Sequence, residues 1–404
     1  MALLAHTEEP PAPAPSAYAT DLNAFFAEVD STYPFFDLKG VRDEWNAVKQ
    51  RLSEQVKDCS SDEAFLGLVT EGIRCLHDSH MGIQDARVSL PSPPKEYFPG
   101  ISFMPATGNR VIVMWADEKY GDTLKSGVIV SKIDGQDART YLEDRSKDAW
   151  NAGFCSSKQR ARLMAYRIPL KGKEGETHVI TYASQGEKGQ LTVTCEFEAR
   201  GWPHTYNMPP DAARVGRSFL YAKLGDGAGY MYLRRVDDSA VPDIREAVET
   251  YPDAKGWILD LRGNGGGGYD DTLIERVQAL PRPVAVLIDA GCMSAGETLA
   301  RDLARHAEAH LFGSRTAGAS SAKRVWTFPS GIASVVIPTR SRWRNDGQPI
   351  EFNGIEPDVE VEAVPEEVAN GLNSEILRAQ GYLAQASAAQ PTGSEKAAPP
   401  PSAR

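Results

Sequence analysis

No apolar run in the 404 residues approaches the roughly 20 needed to span a bilayer as a helix, so the chain as given reads without an integral membrane segment. An excess of positive charge is also missing. The 44 Lys and Arg stand against 55 Asp and Glu, a formal net charge of -11 that opposes association with a phosphate backbone, and no basic patch offsets it. Nucleic acid is therefore not an expected partner. Paired cysteines are lacking: Cys59, Cys75, Cys155, Cys195 and Cys292 are scattered and odd in number, without the close spacing of a metal knuckle or redox motif, and they do not report the compartment. The first 18 residues, MALLAHTEEPPAPAPSAY, lack a basic region and a hydrophobic stretch long enough for a secretory signal. No address is legible; the expectation is periplasmic or secreted if a leader once preceded the Pro/Ala-rich stretch, and cytoplasmic otherwise.

What is present is ordinary globular composition in a chain too long for one core, which predicts two or three. Residues 1–18 and 389–404 are too rich in Pro, Ala and polar residues to bury a core and are expected to be unstructured. Residues 19–89 read as a helical subdomain. Leu22, Phe25, Phe26 and Val29 share one face, and Val41, Trp45, Val48, Leu52 and Val56 share another. A third helix is expected to begin at Ser60, spaced from Glu63 as in a capping box, with a stripe of Phe65, Val69, Ile73 and Leu76. Residues 90–215 open with a proline-rich break and continue in strand-like runs at 110–115, 127–133, 178–183 and 190–198, with a turn at Asp134-Gly135. The stretch DTLKSGVIVSKIDGQ (122–136) resembles the second half of a PDZ domain, a fold that captures chain ends by adding them to a sheet edge. Residues 216–388 alternate strand and helix (228–234, 241–250, 256–261, 271–280, 284–289, 294–309), the pattern of an α/β core. The fold class is accordingly α/β, or α+β multidomain.

Two motifs fall where strands of the α/β core end, the place at which sites collect in such sheets. Ser294 follows the strand at 284–289 and begins a helix, where free N–H groups and the positive dipole end could stabilise an oxyanion. The competing reading is a plain capping box with Glu297. The run Arg262-Gly-Asn-Gly-Gly-Gly-Gly permits backbone shapes that aim N–H groups into a cleft, or serves as a flexible turn; the spacings of dinucleotide and P-loop motifs are absent. His306 and His310, read as one helical turn apart, lack the acid placement of a zinc peptidase and are taken as an exposed helix end; His77 and His80 have no completing ligands. No metal and no cofactor are expected.

The segments ILDLRGNGGG, VAVLIDAGCMSAGE, FGSRTAG and GIEPDVEV occur in an order that resembles the tail-specific (C-terminal processing) protease family, closely over residues 220–362 and loosely upstream. The resemblance implies a crotonase-like α/β core, a PDZ-like module, a helical N-terminal subdomain, an active site between core and N-terminal pieces, and polypeptide or peptide substrates. It places the nucleophile at Ser294 and implies an oxyanion site made by the N–H groups of Ala295 and of Gly265 or Gly266. The lysine base of the bacterial branch is absent, because Ala319 follows Arg315-Thr-Ala-Gly; Lys323 is a shifted alternative. In the tricorn-like branch the base is a histidine in L-x-D-x-H, matched by Leu76-His-Asp-Ser-His, which makes His80 the leading base. That branch also implies Ser79 and Glu351 as the remaining members of a Ser-His-Ser-Glu relay, with Glu356 as the competing acid. The implied function is a serine endopeptidase acting on unfolded or C-terminal segments. Two rivals remain: a non-hydrolytic carrier of hydrophobic ligands, like the related modules of interphotoreceptor retinoid-binding protein, and a scaffold that only grips chain ends. Glu297 or the arginines at 340–344 could meet a substrate carboxylate, against the simpler reading of an exposed charged strand.

Overall fold

Apolar positions three and four residues apart generate the helices that open the chain, Pro15–Thr32, Arg42–Gln55 and Asp62–Arg74, with the single turn Phe36–Lys39 between the first two. The computed structural model describes residues 15–90, 94–184, 187–199, 208–209, 212–215, 219–237, 240–269 and 271–389. Of the termini expected to be unstructured, 1–14 and 390–404 lie outside the described residues. Residues 15–18 are helical instead: proline suits a first helical turn, and the Tyr18 hydroxyl donates to Asp62 at 2.8 Å. The third helix is capped by Ser61, which accepts from the Ala64 N–H at 3.2 Å, one residue later than the sequence pattern predicts.

The chain divides into two units, residues 1–103, 130–203 and 317–354 in the first and 104–129, 204–316 and 355–404 in the second. In the first, Leu22, Phe25, Trp45, Leu52, Phe65 and Val69 close a core with Phe328, Val335 and Ile337 from the antiparallel pair Ser321–Thr327 and Ser334–Ser341. Trp45 is fully buried at its centre, with rings of Phe25, Phe26 and Phe36 within 6.0 Å. The expected strands at 178–183 and 190–198 form the antiparallel pair Thr177–Ser184 and Glu187–Thr194. Two helices unannounced by the sequence pattern, Ala138–Asn151 and Lys158–Arg167, pack on each other. Their buried faces use small residues such as Ala138, Ala161 and Ala165, which leave a weak apolar stripe, while Asp137 and Ser157 cap their starts.

The second unit is a seven-stranded sheet whose strands lie in chain order, from Ala213–Val215 through Phe219–Lys223, Gly229–Leu233, Trp257–Asp260, Val284–Ile288 and His310–Gly313 to Val359–Glu360. The first two pairings are antiparallel and the rest parallel. Strands 229–233, 257–260 and 284–288 are buried throughout, as a sheet covered on both faces requires. Helices Ala240–Thr250, Asp271–Gln278 and Ala295–His306 pack in succession, while Ser374–Ala389 packs on strands 257–260, 284–288 and 310–313 through Ile376, Ala379 and Leu383. Among the described residues no helix is long and apolar enough to cross a membrane.

Trp45→Ala should cost about 3–5 kcal/mol of the first unit's stability, since it opens a cavity among aromatic rings and removes the indole N–H that donates to Asp30 at 2.7 Å. Denaturant unfolding of the variant beside the wild type measures it; a loss under about 1 kcal/mol would show that the site collapses freely.

Candidate active site

Neighbouring parallel strands place two turns side by side in the second unit. Asp260 pairs with Leu287 in register, so the glycine loop after Trp257–Asp260 and the turn after Val284–Ile288 emerge together. Asp289 fixes both, since its Oδ1 accepts the N–H groups of Gly263 and Gly291, each at 2.9 Å. Asn264 joins them again: its carbonyl accepts the Met293 N–H at 2.9 Å, its Oδ1 accepts the Gly266 N–H at 2.8 Å, and its Nδ2 donates to the Leu233 carbonyl at 2.7 Å.

Ser294 stands at the end of this turn with φ 55° and ψ -122°, a region that residues bearing a Cβ rarely occupy, and its side chain makes no capping bond to the helix Ala295–His306. The capping-box reading therefore fails. Glu297, its supposed partner, is fully buried and accepts the Thr316 hydroxyl at 2.5 Å, which also removes it as a ligand for a substrate carboxylate. The strained corner turns Ser294 toward the helix N-terminus, where Ala295, as the first helical residue, has no acceptor for its N–H within the helix. Gly266 makes this approach possible: at φ 82°, a Cβ there would lie 2.6 Å from the Ser294 Cβ. The expectation that Gly265 and Gly266 turn their N–H groups to an oxyanion needs correction. Gly265 donates to the Arg234 carbonyl at 3.1 Å and Gly266 to Asn264, so both donors are already spent.

Beneath the glycine loop, Arg262 is buried and bonds Asp260 through Nε (2.9 Å) and Nη2 (2.5 Å) while Nη1 reaches Glu375 at 3.2 Å. Burial opposes its charge, but Asp260 and Glu375 raise its pKa further above the ordinary arginine value. The Tyr230 hydroxyl adds a 2.7 Å bond to Asp260.

The first unit carries the other expected residues. His80 lies in the turn that ends helix Asp62–Arg74, its N–H donating to Asp78 Oδ1 at 2.9 Å. Burial pushes its pKa down to about 4, helped by the charges of Lys323 and Lys39 and opposed by Asp78, so the imidazole is neutral at pH 7. Its Nδ1 is buried with no hydrogen-bond partner among the described residues. Ser79 makes no bond to that nitrogen. Its hydroxyl donates to the Phe154 carbonyl at 3.0 Å and accepts the Ser156 N–H at 3.0 Å, while its own N–H donates to Ser156 Oγ at 3.0 Å. Gly153, at φ 80°, permits this clamp, because a Cβ there would lie 2.2 Å from the Arg74 carbonyl oxygen.

Glu351 is fully buried and accepts the Ser320 N–H at 2.8 Å; its Oε1 is 2.8 Å from Lys39 Nζ. Burial, then the charge of Asp78, raise its pKa to about 7, with Lys39 and a Ser156 hydroxyl bond pulling the other way. Lys39, Asp78, Ser156 and Asn264 make contacts to these candidates that the sequence reading passed over. Asp78 was visible inside the L-x-D-x-H match, whereas a single lysine after the aromatic stretch Tyr33–Phe36 carried no sign of its burial.

The other candidates resolve plainly. Lys323 is exposed on strand Ser321–Thr327 at a break in register, and Ala319 is fully buried. Glu356 pairs with Arg315, and Arg344 with Asp346 at 2.9 Å. His306 ends its helix but His310 begins a strand, 3.7 Å from Asp358, so the two are not a helical pair. Among the described residues no cluster of His, Cys, Asp and Glu could hold a metal ion.

The profile of Peptidase family S41 matches residues 269–361, the segment that contains Ser294. The chain is 25% identical over 35% of its length to "Carboxy-terminal processing protease CtpA" of Bacillus subtilis (strain 168), covering 37% of that protein. It is 26% identical over 45% of its length to "Carboxyl-terminal-processing peptidase 2, chloroplastic" of Arabidopsis thaliana, covering 43% of it. The matches thus span roughly two fifths of these curated relatives. Among solved structures, mature CPAF is similar with a TM-score of 0.59 at 12% identity, over 92% of this chain and 96% of that one. The complex of mature CPAF with lactacystin gives a TM-score of 0.57 at 13% identity, over 92% and 98%. The structural likeness is one of fold, a mixed α/β multidomain architecture; over residues 269–361, which hold the strained serine, the chain is similar to peptidase family S41.

Proposed function

We propose that the protein is a serine endopeptidase that cleaves peptide bonds in unfolded or C-terminal segments of polypeptides through an acyl-enzyme on Ser294. The observation that carries the reading is the backbone of Ser294: a non-glycine residue held at φ 55° on a strand-to-helix corner, with no capping bond to account for it. Strain of that kind costs on the order of 1–3 kcal/mol and persists where the surroundings over-determine it. Two further supports are the family match and the relatives' printed names.

In this reading His80, neutral at pH 7, takes the proton of the Ser294 hydroxyl as that oxygen attacks the scissile carbonyl, and returns it to the leaving amine. The Ala295 N–H, at the positive end of its helix, receives the developing oxyanion. Asn264 and Gly266 hold the loop against Ser294. Ser79 acts by clamping the loop 154–156 through its hydroxyl, and Glu351 supplies the carboxyl of the relay. The PDZ-like region, residues 90–215, would hold a chain end.

Hydrolysis of casein or a labelled peptide should fall by about 10⁴-fold or more in Ser294→Ala and in His80→Ala, with melting temperatures close to wild type, while Lys323→Ala keeps most of its rate. Retained activity in His80→Ala would refute the base assignment. A wild type that neither cleaves nor reacts with a fluorophosphonate would refute the peptidase reading and favour a binding function.

A base with its pKa lowered to about 4 must lose a proton before it can act, so burial extends activity downward. The imidazole's own contribution to the acid limb of kcat/KM should fall below the ordinary histidine value of about 6.5. Gly266→Ala is expected to lower kcat by about 10²-fold by pushing the corner aside, which a steady-state comparison at fixed pH reads directly.

A further inference from the structure

In the first unit one ammonium group is entirely enclosed. Lys39 Nζ, with no exposed side-chain surface, lies 2.9 Å from Asp78 Oδ2, 2.8 Å from Glu351 Oε1 and 2.8 Å from the His77 carbonyl. The three acceptors come from two stretches of chain more than 270 residues apart, the turn 77–80 and the segment at 351. Asp78 is shared further: its Oδ2 accepts the Tyr33 hydroxyl at 3.0 Å and its Oδ1 the His80 N–H at 2.9 Å.

We propose that Lys39 is a positioning residue, whose buried ammonium binds Asp78 and Glu351 together and so holds the His80 turn against the Glu351 carboxyl in the charge state the reaction needs. This rests on the peptidase reading given above for its use, though not for its structural core. Two contacts to the turn, at the His77 carbonyl and Asp78, and one to Glu351 tie the two stretches to one cation, and Asp78 passes that order to His80 through the backbone bond. A neutral side chain at position 39 would leave two buried carboxyls facing each other without a counter-charge, the arrangement in which one must take up a proton.

Burial disfavours the charged lysine, but Asp78 and Glu351 raise its pKa above the ordinary value, so it remains a cation. Burial and Asp78 raise Glu351 while Lys39 restrains it. Burial lowers both His77 and His80, and Lys39 lowers each a little more. Tyr33 is raised by burial and by both carboxylates, which keeps it a hydroxyl donor. Lys323, on the strand beside the turn, adds to the lowering of His80. Removing Lys39 therefore moves Glu351 and both histidines toward higher pKa values together.

The consequence for stability has a definite sign. A carboxyl raised from 4.5 to about 7 on folding is still protonated in the native state where the unfolded chain has ionised, so it favours folding below that window and loses the contribution as pH rises through it. Without Lys39 the window extends upward. The histidines, easier to protonate once the neighbouring cation is gone, reduce the cost at low pH and reinforce the same slope.

The experiment is thermal melting of the full chain between pH 5 and pH 8 for wild type, Lys39→Met, Lys39→Gln, Glu351→Gln and the double variant Lys39→Met/Glu351→Gln, beside pH profiles of kcat/KM. The expected result is a loss of melting temperature in both Lys39 variants that is clearly larger at pH 8 than at pH 5, and that shrinks when Glu351→Gln is added. The acid limb of kcat/KM in the Lys39 variants should move up by about one pH unit or more. An equal loss at both pH values, unaffected by Glu351→Gln, overturns the proposal and makes Lys39 a packing element only. If Lys39→Met does not fold, the pH slope of Lys39→Gln decides in the same way. Melting requires no turnover, so a chain that cleaves nothing would overturn the peptidase reading while the charge-anchoring core of the proposal still stands or falls on the melting curves.

Discussion

Each unit buries a cation between two carboxyl groups, one beside the turn at 77–80 and the other at the start of the glycine loop. Lys39 lies between Asp78 and Glu351 in the first unit, and Arg262 between Asp260 and Glu375 in the second. Charges removed from water cost several kcal/mol each unless partners and hydrogen bonds replace the lost solvation, so such a centre admits few alternative geometries. The Tyr33 and Tyr230 hydroxyls fill the remaining acceptor sites on Asp78 and Asp260 in the same manner.

The second unit adds a strained backbone on top of this anchor. Ser294 at φ 55° is unfavourable by itself, and the hydrogen bonds of Asn264 and Asp289 over-determine the corner that holds it. Gly266 contributes by what it lacks, since the loop closes on Ser294 only because no Cβ stands between them. The Asp289 carboxylate serves both turns with one oxygen, which ties the glycine loop and the serine corner into a single piece.

Much of this architecture could be read from residue order. The strands at 229–233, 257–260 and 284–288 are continuous apolar runs bounded by glycine and charge, and the helices between them show strong apolar faces, so local pattern and tertiary burial agree. Two helices, Ala138–Asn151 and Lys158–Arg167, escaped because alanines supply much of their buried surface and periodicity is then faint. Ser294, His80, Ser79 and Glu351 were singled out by motifs, yet motifs do not say which atoms a hydroxyl or carboxyl will meet. Ser79 turned out to clamp a loop, and the N–H groups of Gly265 and Gly266 turned out to be committed to Arg234 and Asn264.

Sequence by itself determined the alternation of strand and helix, the absence of a membrane-length apolar run, the glycine loop and the serine at a strand-to-helix junction, because these depend on neighbours within a few residues. Tertiary structure alone decided that Lys39 is buried, that its partners are Asp78 and Glu351, that Glu351 shifts toward neutral pH, and that His80 is held neutral. The reason is that charge and solvation depend on distance in space: residues 39, 78 and 351 are far apart along the chain, and nothing in their local sequence records that folding brings them within 3 Å of one ammonium group.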